Sequence, residues 1–229
     1  MQLTDTHVII KTQAGLCNRL RVVLSYLEYA KSINKKLRVY WMKDRFCNGN
    51  FLDYFEPIPD VEIVHEKTND PIFGKGLFLC HPDFMNESTL RWQLLIPKQH
   101  IRKKINYKIN TLCNNFIAVH IRRTDHIHDA INANRYVNDE SFIEWIYQNI
   151  NGKNLYVATD NMNTHLKFKR IFKNKLVCKP PTMEAQNWRC SSLDDAIIDL
   201  FVCAQSKAFM GTKGSSFSST IEALKYTNA

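Results

Sequence analysis

Residues 116–125 have the sequence Phe-Ile-Ala-Val-His-Ile-Arg-Arg-Thr-Asp, an apolar run followed directly by a polar cluster. Such a run predicts a buried strand of a parallel sheet. The polar cluster then lies at the carboxyl end of that strand, where open α/β sheets bind ligands. Arg122 and Arg123 suit a diphosphate, because a guanidinium stays charged and its planar fork bonds phosphate oxygens in pairs. The alternative is an exposed arginine pair on an ordinary loop.

Strands and helices alternate on both sides of this stretch. The first half predicts a strand at 7–11, a helix from Leu16 and a strand at 37–41, which together form a βαβ unit, with further strands at 61–64 and 76–80. The second half predicts strands at 116–119, 155–159, 175–178 and 208–211, and helices at 142–150, 164–172, 193–204 and 218–225. We therefore predict an α/β fold of two facing Rossmann-like domains, residues 1–110 and 111–229, with a ligand cleft.

Composition and charge limit the class of protein. The chain has 229 residues, of which 45% are hydrophobic and 23% charged, as in an ordinary globular protein. No stretch is apolar enough to span a bilayer or to act as a signal peptide, and the seven cysteines form no CxxC pair. We expect a cytoplasmic protein with free thiols, from a bacterium or a virus-infected cell. The formal charge of +9 attracts anions, which include nucleic acids and nucleotide-linked substrates.

Two loops with polar groups each join a predicted strand to a helix. Residues 14–21 have the sequence Ala-Gly-Leu-Cys-Asn-Arg-Leu-Arg, and residues 211–219 have the sequence Gly-Thr-Lys-Gly-Ser-Ser-Phe-Ser-Ser. Backbone amides at a helix N-terminus bind anions, and glycines let the backbone approach a ligand. Neither loop is a GxGxxG fingerprint or a Walker loop. The alternatives are an ordinary strand–helix turn and a simple N-capping loop.

One helix carries a pair of carboxylates, and metal-binding motifs are missing. Asp195 and Asp199 are four residues apart and share a helix face, so that one of them can face a ligand such as guanine, with adjacent N–H donors. The alternative is a pair of surface charges. The sequence has no Asp-x-Asp, HExxH or EF-hand motif, and His120, His126 and His128 lack the support that a zinc site needs. We predict no metal site.

These motifs, in this order, resemble those of the fucosyltransferase superfamily with the GT-B type fold, which includes the α1,6-, nodulation and protein O-fucosyltransferases. Residues 120–125 are similar to its His-x-Arg-Arg-x-Asp motif, and residues 156–160 to its Ala-Thr-Asp segment. Residues 192–199 resemble the helix with its base-reading Asp, and residues 212–219 its Ser-Ser loop. Residues 15–19 are similar to its Gly-x-x-Asn-Arg start.

The resemblance implies roles for individual residues. Arg122 would bind the donor diphosphate, with Arg123 beside it, and would stabilise the charge that develops on the leaving nucleotide. The remaining donor contacts would come from His120 and Asp199 at guanine, from Ser215, Ser216 and Phe217 on the β-phosphate side, and from Asn18 and Arg19 at the donor–acceptor junction. Such enzymes are inverting and metal-independent, so no cofactor is expected.

The base for the acceptor hydroxyl is where the chain departs from the family. The α1,6-fucosyltransferases have Lys directly after the motif Asp and Glu four positions later, whereas this chain has His126 and Ala130 there. We predict Asp129 as the base, with Asp125 as the second candidate.

As a whole, the sequence predicts a metal-independent inverting glycosyltransferase that moves L-fucose from GDP-fucose to a hydroxyl of a glycan or glycoconjugate. We expect this enzyme to have no nucleic-acid partner and no membrane span. The first alternative is another donor on the same fold, such as UDP-xylose or a nucleotide-linked rhamnose. The second is a non-catalytic nucleotide or nucleic-acid binding protein, which the charge of +9 supports.

Overall fold

The structure, a computed structural model, describes residues 1–65, 76–124, 127–180 and 192–227, except for the side chains of 127–129. The chain divides into two compact units, Met1–Lys98 and Gln99–Asn228. Each described unit is built on a mainly parallel sheet with helices, which confirms the predicted α/β class. The division lies before residue 110 because the basic segment after Lys98 forms a helix, Gln99–Thr111, that packs on the second unit through buried isoleucines. Its basic residues lie on the exposed face, as in an ordinary amphipathic helix.

The first unit contains strands β1 (Gln2–Leu3), β2 (His7–Lys11), β3 (Lys36–Tyr40) and β4 (Val61–Val64), with helices α1 (Leu16–Ser32) and α2 (Phe51–Tyr54). The sheet order is β1-β2-β3-β4, and only β1 is antiparallel to its neighbour. Lys11 pairs with Tyr40, so the loops after β2 and β3 begin side by side at the carboxyl edge. The strand predicted at 76–80 is reduced to a single bridge between Leu77 and Thr12.

The second unit begins with α3 (Gln99–Thr111) and has the sheet order β6-β5-β7, with all three strands parallel. Its further elements are β5 (Phe116–Ile121), α4 (Ile127–Asn132), α5 (Asp139–Asn149), β6 (Asn154–Thr159), α6 (Met162–Phe172), α7 (Leu193–Ala204), β7 (Phe209–Gly211) and α8 (Ser216–Thr227). The strand predicted at 175–178 is wrong, because only Leu176 forms a bridge, with Leu155. The predicted helix at 193–204 is confirmed in full.

The central strand β5 is buried on both faces, as its unbroken apolar run predicts. Its odd-numbered residues, among them Ile117 and Val119, pack with Phe142 of α5 and Phe168 of α6. Its even-numbered residues point to the opposite face, toward α7 and α8. The polar residues that follow β5, β6 and β7 therefore meet at one edge of this sheet. No helix in the described parts of the chain is long and apolar enough to cross a membrane.

Candidate functional site

Thr212 joins the ends of β5 and β7. Its hydroxyl donates a hydrogen bond of 2.9 Å to the carbonyl oxygen of His120 and accepts one of 3.0 Å from the backbone N–H of Arg122. Thr212 is itself buried, so these bonds are shielded from water. The loop at 211–219 is thereby fastened directly to the polar cluster that opens after β5, although the two stretches lie about ninety residues apart in the sequence.

The ring of His120 is fixed by the start of α8. Its Nδ1 lies 2.8 Å from the hydroxyl of Ser218, and the ring stacks on Phe217 with centroids 4.6 Å apart. This approach of α8 requires a glycine at the end of β7. A Cβ at Gly211 would lie 2.5 Å from the Cβ of Ser218, closer than real side chains come. His120 and Phe217, both predicted to contact the donor, are thus brought together.

Arg122 lies at the carboxyl edge with its side chain mostly covered. Its Nη1 is 3.9 Å from Oδ2 of Asp160, which follows β6. Asp160 is buried and accepts hydrogen bonds from the Arg123 N–H at 2.9 Å and from the Thr124 hydroxyl at 2.5 Å. The carboxylate of Asp160 therefore serves mainly to hold the backbone after β5, and its contact with the Arg122 guanidinium is long.

Arg123 has a different environment from Arg122. It is 6% exposed, and its guanidinium donates to Oδ1 of Asp139 at 2.6 Å and packs over Tyr136 and Phe142. Burial raises the pKa of Asp139, but hydrogen bonds from Lys167 and Arg123 outweigh it and leave the pKa below its usual value. The guanidinium of Arg123 is thus held inside the unit by the carboxylate of Asp139. Its predicted contact with the donor stays a prediction.

Asp199 on α7 lies next to Tyr156 of β6. The Tyr156 hydroxyl donates a hydrogen bond to Oδ1 of Asp199. Burial raises the pKa of Asp199 to about 6, against the opposing effects of Lys108 and of this hydrogen bond. Burial and the nearby carboxylate also raise the pKa of Tyr156 well above its usual value. Asp195, one turn nearer the N-terminus of α7, is half-buried.

Ser215 and Ser216 stand at the N-terminus of α8. Ser215 is buried, and its N–H donates to the carbonyl oxygen of Thr212 at 3.2 Å, which closes the turn before the helix. Ser216 is the first residue of α8 and is half-buried. Two residues were predicted as the general base for the acceptor hydroxyl, Asp129 and Asp125. Asp125 and the side chain of Asp129 lie outside the described residues, so both stay predictions.

Arg19 is the centre of a separate cluster in the first unit. Its side chain is fully buried and donates to the carbonyl oxygens of Ala14 at 2.7 Å and Met42 at 2.5 Å, and to Oδ2 of Asp44 at 2.5 Å. It also lies over the ring of Trp41. The guanidinium thus clamps the loops after β2 and β3. Asn18, the preceding residue, is half-buried in the first turn of α1.

Several residues of the sheet-edge site and of the Arg19 cluster could not be predicted from the sequence. Asp160, Thr212 and Ser218 stand within recognised motifs, but nothing in their spacing indicates that they bond residues 36 to 98 positions away. Asp44 and Asp139 belong to none of the motifs. Among the described residues no group of three or more His, Cys, Asp or Glu side chains could hold a metal ion.

The sequence matches the model of the family described as GDP-fucose protein O-fucosyltransferase over residues 24–226. The chain belongs to this family. The match covers α3 to α8 and most of the first unit, and confirms the resemblance that the motifs indicated. The protein is accordingly a glycosyltransferase of the fucosyltransferase-like class. A search of curated proteins found no match.

Solved structures of fucosyltransferases are similar to this member of the family along nearly all of its length. NodZ α-1,6-fucosyltransferase soaked with GDP-fucose has a TM-score of 0.66 at 14% identity, with 96% of this chain and 93% of that chain covered. NodZ from Bradyrhizobium has a TM-score of 0.60 at 16% identity, with 96% and 92% covered. POFUT1 in complex with GDP-fucose has a TM-score of 0.68 at 12% identity, with 96% and 94% covered. This likeness confirms the predicted GT-B type fold.

Proposed function

We propose that this glycosyltransferase moves L-fucose from GDP-fucose to a hydroxyl of a glycan or glycoconjugate, with inversion at the anomeric carbon and without a metal ion. Membership of the family supports a GDP-linked donor. Further support comes from two of the similar structures, NodZ soaked with GDP-fucose and POFUT1 in complex with GDP-fucose.

The proposed reaction is a single displacement. The acceptor oxygen attacks the anomeric carbon, the bond from that carbon to the β-phosphate oxygen breaks, and its electron pair leaves on GDP. The acceptor proton goes to a carboxylate, for which Asp129 remains the first candidate and Asp125 the second. Arg122 stabilises the negative charge that develops on the β-phosphate.

The observation that carries this proposal is the double hydrogen bond of Thr212. It ties the backbone of His120 and Arg122 to the loop before α8, at 2.9 and 3.0 Å. A guanidinium, a turn and a helix N-terminus then share one edge of the sheet, which is the combination that binds a nucleoside diphosphate. In this proposal the guanidinium of Arg122 takes the part of a divalent ion at the phosphates.

Guanine is the proposed base of the donor. His120 and Asp199 contact it in this proposal, and Asp199 does so through Oδ2 and the second lone pair of Oδ1, since the first lone pair of Oδ1 accepts the hydrogen bond from Tyr156. A carboxylate can bond both of the adjacent N–H donors of guanine, whereas uracil offers a single N–H. Ser215, Ser216 and Phe217 contact the phosphate side in this proposal. Asn18 in the first unit faces the acceptor, and the buried Arg19 holds the loop before it in place instead of facing the acceptor itself.

A nucleotide panel tests the donor. We would measure the melting temperature of the purified protein with GDP, UDP, ADP, CMP and a short DNA duplex, each in EDTA. A ligand that binds only the folded state raises the melting temperature by mass action. We expect a rise with GDP that disappears in Arg122→Ala and persists in Arg102→Ala, a matched change at an exposed arginine of α3.

The other outcomes separate the alternatives. A rise with UDP instead of GDP would keep the glycosyltransferase class and replace the donor. A rise with DNA alone, falling steeply with salt, would contradict the proposal and favour a nucleic-acid binding protein. Incubation of GDP-fucose with a glycan panel in EDTA, with NMR of the product's anomeric configuration, tests transfer, inversion and metal independence together.

A further inference from the structure

Gly214, in the turn between β7 and α8, lies directly against the guanidinium of Arg135. The φ angle of Gly214 is +72°, a backbone conformation that favours glycine. A Cβ at this position would also lie 2.6 Å from Nη1 and 3.0 Å from Cζ of Arg135. The turn thus favours glycine through its φ angle, and the short distances show that the Arg135 guanidinium lies directly against this turn.

The position of Arg135 is set by the end of α4. Asn134, in the left-handed conformation with φ of +52°, ends the helix, and the N–H of Arg135 donates to the carbonyl oxygen of Ala130 at 2.7 Å. This hydrogen bond fixes the backbone from which the side chain reaches Gly214. The side chain of Arg135 therefore reaches the turn before α8 from the α4–α5 connection, whereas the backbone of Arg122, at the end of β5, is hydrogen-bonded to Thr212 of the same loop.

The charges of the three arginines of this region are balanced differently. Arg123 is buried against Asp139. Arg122 has a long contact with Asp160. Arg135 is exposed, and within the described parts of the chain no carboxylate forms an ion pair with it. A guanidinium held beside a glycine turn with open N–H groups is suited to an anion, because its fork bonds phosphate oxygens in pairs.

We propose that Arg135 binds the diphosphate of the donor nucleotide, as a second cation of the site in addition to Arg122. This inference rests on the proposed function. A nucleoside diphosphate carries more than one negative charge at neutral pH, and the guanidinium of Arg123 is already paired. Arg135 takes the place that the sequence motif assigns to Arg123, and a metal-free site thereby keeps two guanidiniums on the phosphates.

The test is calorimetric titration of Arg135→Ala with GDP, GMP and guanosine, in EDTA at fixed ionic strength. We expect the Kd for GDP to rise about ten- to a hundredfold, as for a lost charge-assisted hydrogen bond, and the Kd for guanosine to stay unchanged. The effect on GMP should be smaller than on GDP. Arg135→Lys keeps the charge without the fork, and we expect an intermediate loss for GDP.

Lys213→Ala is the matched control. Lys213 is the exposed neighbour of Gly214 in sequence, and lines a cavity of about 440 Å³ with Tyr136, Trp145 and Glu222. We expect this variant to change the Kd for GDP less than twofold, although it removes a positive charge from the loop that Arg135 contacts.

Three results would overturn the inference. They are an unchanged GDP affinity in Arg135→Ala, an equal loss of GDP affinity in Lys213→Ala, and a loss of guanosine affinity as large as the loss of GDP affinity.

If Arg122→Ala loses GDP binding while Arg135→Ala keeps it, this inference fails and the proposed function stands. If the wild-type protein binds no GDP at all, the proposed function fails first. Unchanged melting temperatures without ligand exclude a folding defect.

Discussion

The carboxylate of Asp199 and the hydroxyl of Tyr156 form a part-buried hydrogen bond between α7 and β6. Burial raises the pKa of Asp199 from 3.8 to about 6. A carboxyl group whose pKa is higher in the folded state than in the unfolded state favours folding when it is protonated. Its contribution to stability is therefore fully present below pH 3.8 and is lost as the pH rises through about 6.

We expect Asp199→Asn to remove this pH dependence. The free energy of unfolding of the variant, relative to wild type, should increase by about 2.5 kcal/mol between pH 3.8 and pH 7, which is most of the roughly 3 kcal/mol that the full shift represents at about 1.4 kcal/mol for each pKa unit. Urea unfolding at several pH values measures this difference. A difference that is the same at both ends of the range would show that Asp199 does not titrate as the structure indicates.

Two substitutions in α7 test whether the donor nucleotide carries guanine. If Asp199 bonds guanine, Asp199→Asn should reduce the preference for GDP over UDP about tenfold, since an amide cannot accept two N–H groups in the same way. Asp195→Asn, one turn away, should leave the ratio of the two Kd values unchanged. The reverse pattern would assign the base contact to Asp195.

Arg19 should be among the residues on which the stability of the first unit depends most. Arg19→Met leaves two carbonyl oxygens and Oδ2 of Asp44 without their donor, so we expect a loss of about 3–5 kcal/mol in the free energy of unfolding, mainly from the two carbonyl groups. The matched control is Arg38→Met, because Arg38 forms a similar bond of 2.8 Å with Glu62, but on the surface. That change should cost about 1 kcal/mol or less. Urea unfolding measures both losses. If Arg19→Met and Arg38→Met lower the free energy of unfolding equally, Arg19 does not hold the two loops together as the structure indicates.

Gly211→Ala should move α8 away from β7. The added Cβ meets the Cβ of Ser218 at 2.5 Å, and crowding of this kind costs about 1–3 kcal/mol. We expect a lower melting temperature and weaker GDP binding, because His120 loses its contacts with Ser218 and Phe217. The double variant Gly211→Ala with Ser218→Gly should recover part of the melting temperature. Independent, additive losses would show that the two positions do not press on each other.

Arg122 and Arg123 should differ sharply although they are neighbours in sequence. Arg123→Ala breaks a buried ion pair with Asp139 and should lower the free energy of unfolding by about 3 kcal/mol. Arg122→Ala should leave the melting temperature within a few degrees of wild type and abolish the response to GDP. Thermal melts with and without GDP measure both effects. A stable Arg123→Ala protein that has lost GDP binding would restore its predicted role at the donor.

The sequence by itself determined the fold class, most of the elements and the family. The run at 116–121, the periodicity of 193–204 and the Asn138 cap of α5 are local properties of the chain, because they follow from burial and hydrogen bonding within one element. The strand prediction fails for weak segments such as 76–80 and 175–178, since pairing with a neighbouring strand decides whether a short apolar run forms a strand.

Only the tertiary structure decided what each polar side chain contacts. Arg122 and Arg123 are equivalent in sequence, yet the side chain of Arg123 lies against Asp139 and that of Arg122 at the site edge. The same holds for Arg135, which no motif marks and whose side chain lies against Gly214 in the turn before α8. Successive side chains of an extended backbone point to opposite sides, and their partners come from segments that only folding brings near. The sequence thus determined the chemistry available at the sheet edge, and the packing of distant segments determined which groups take part.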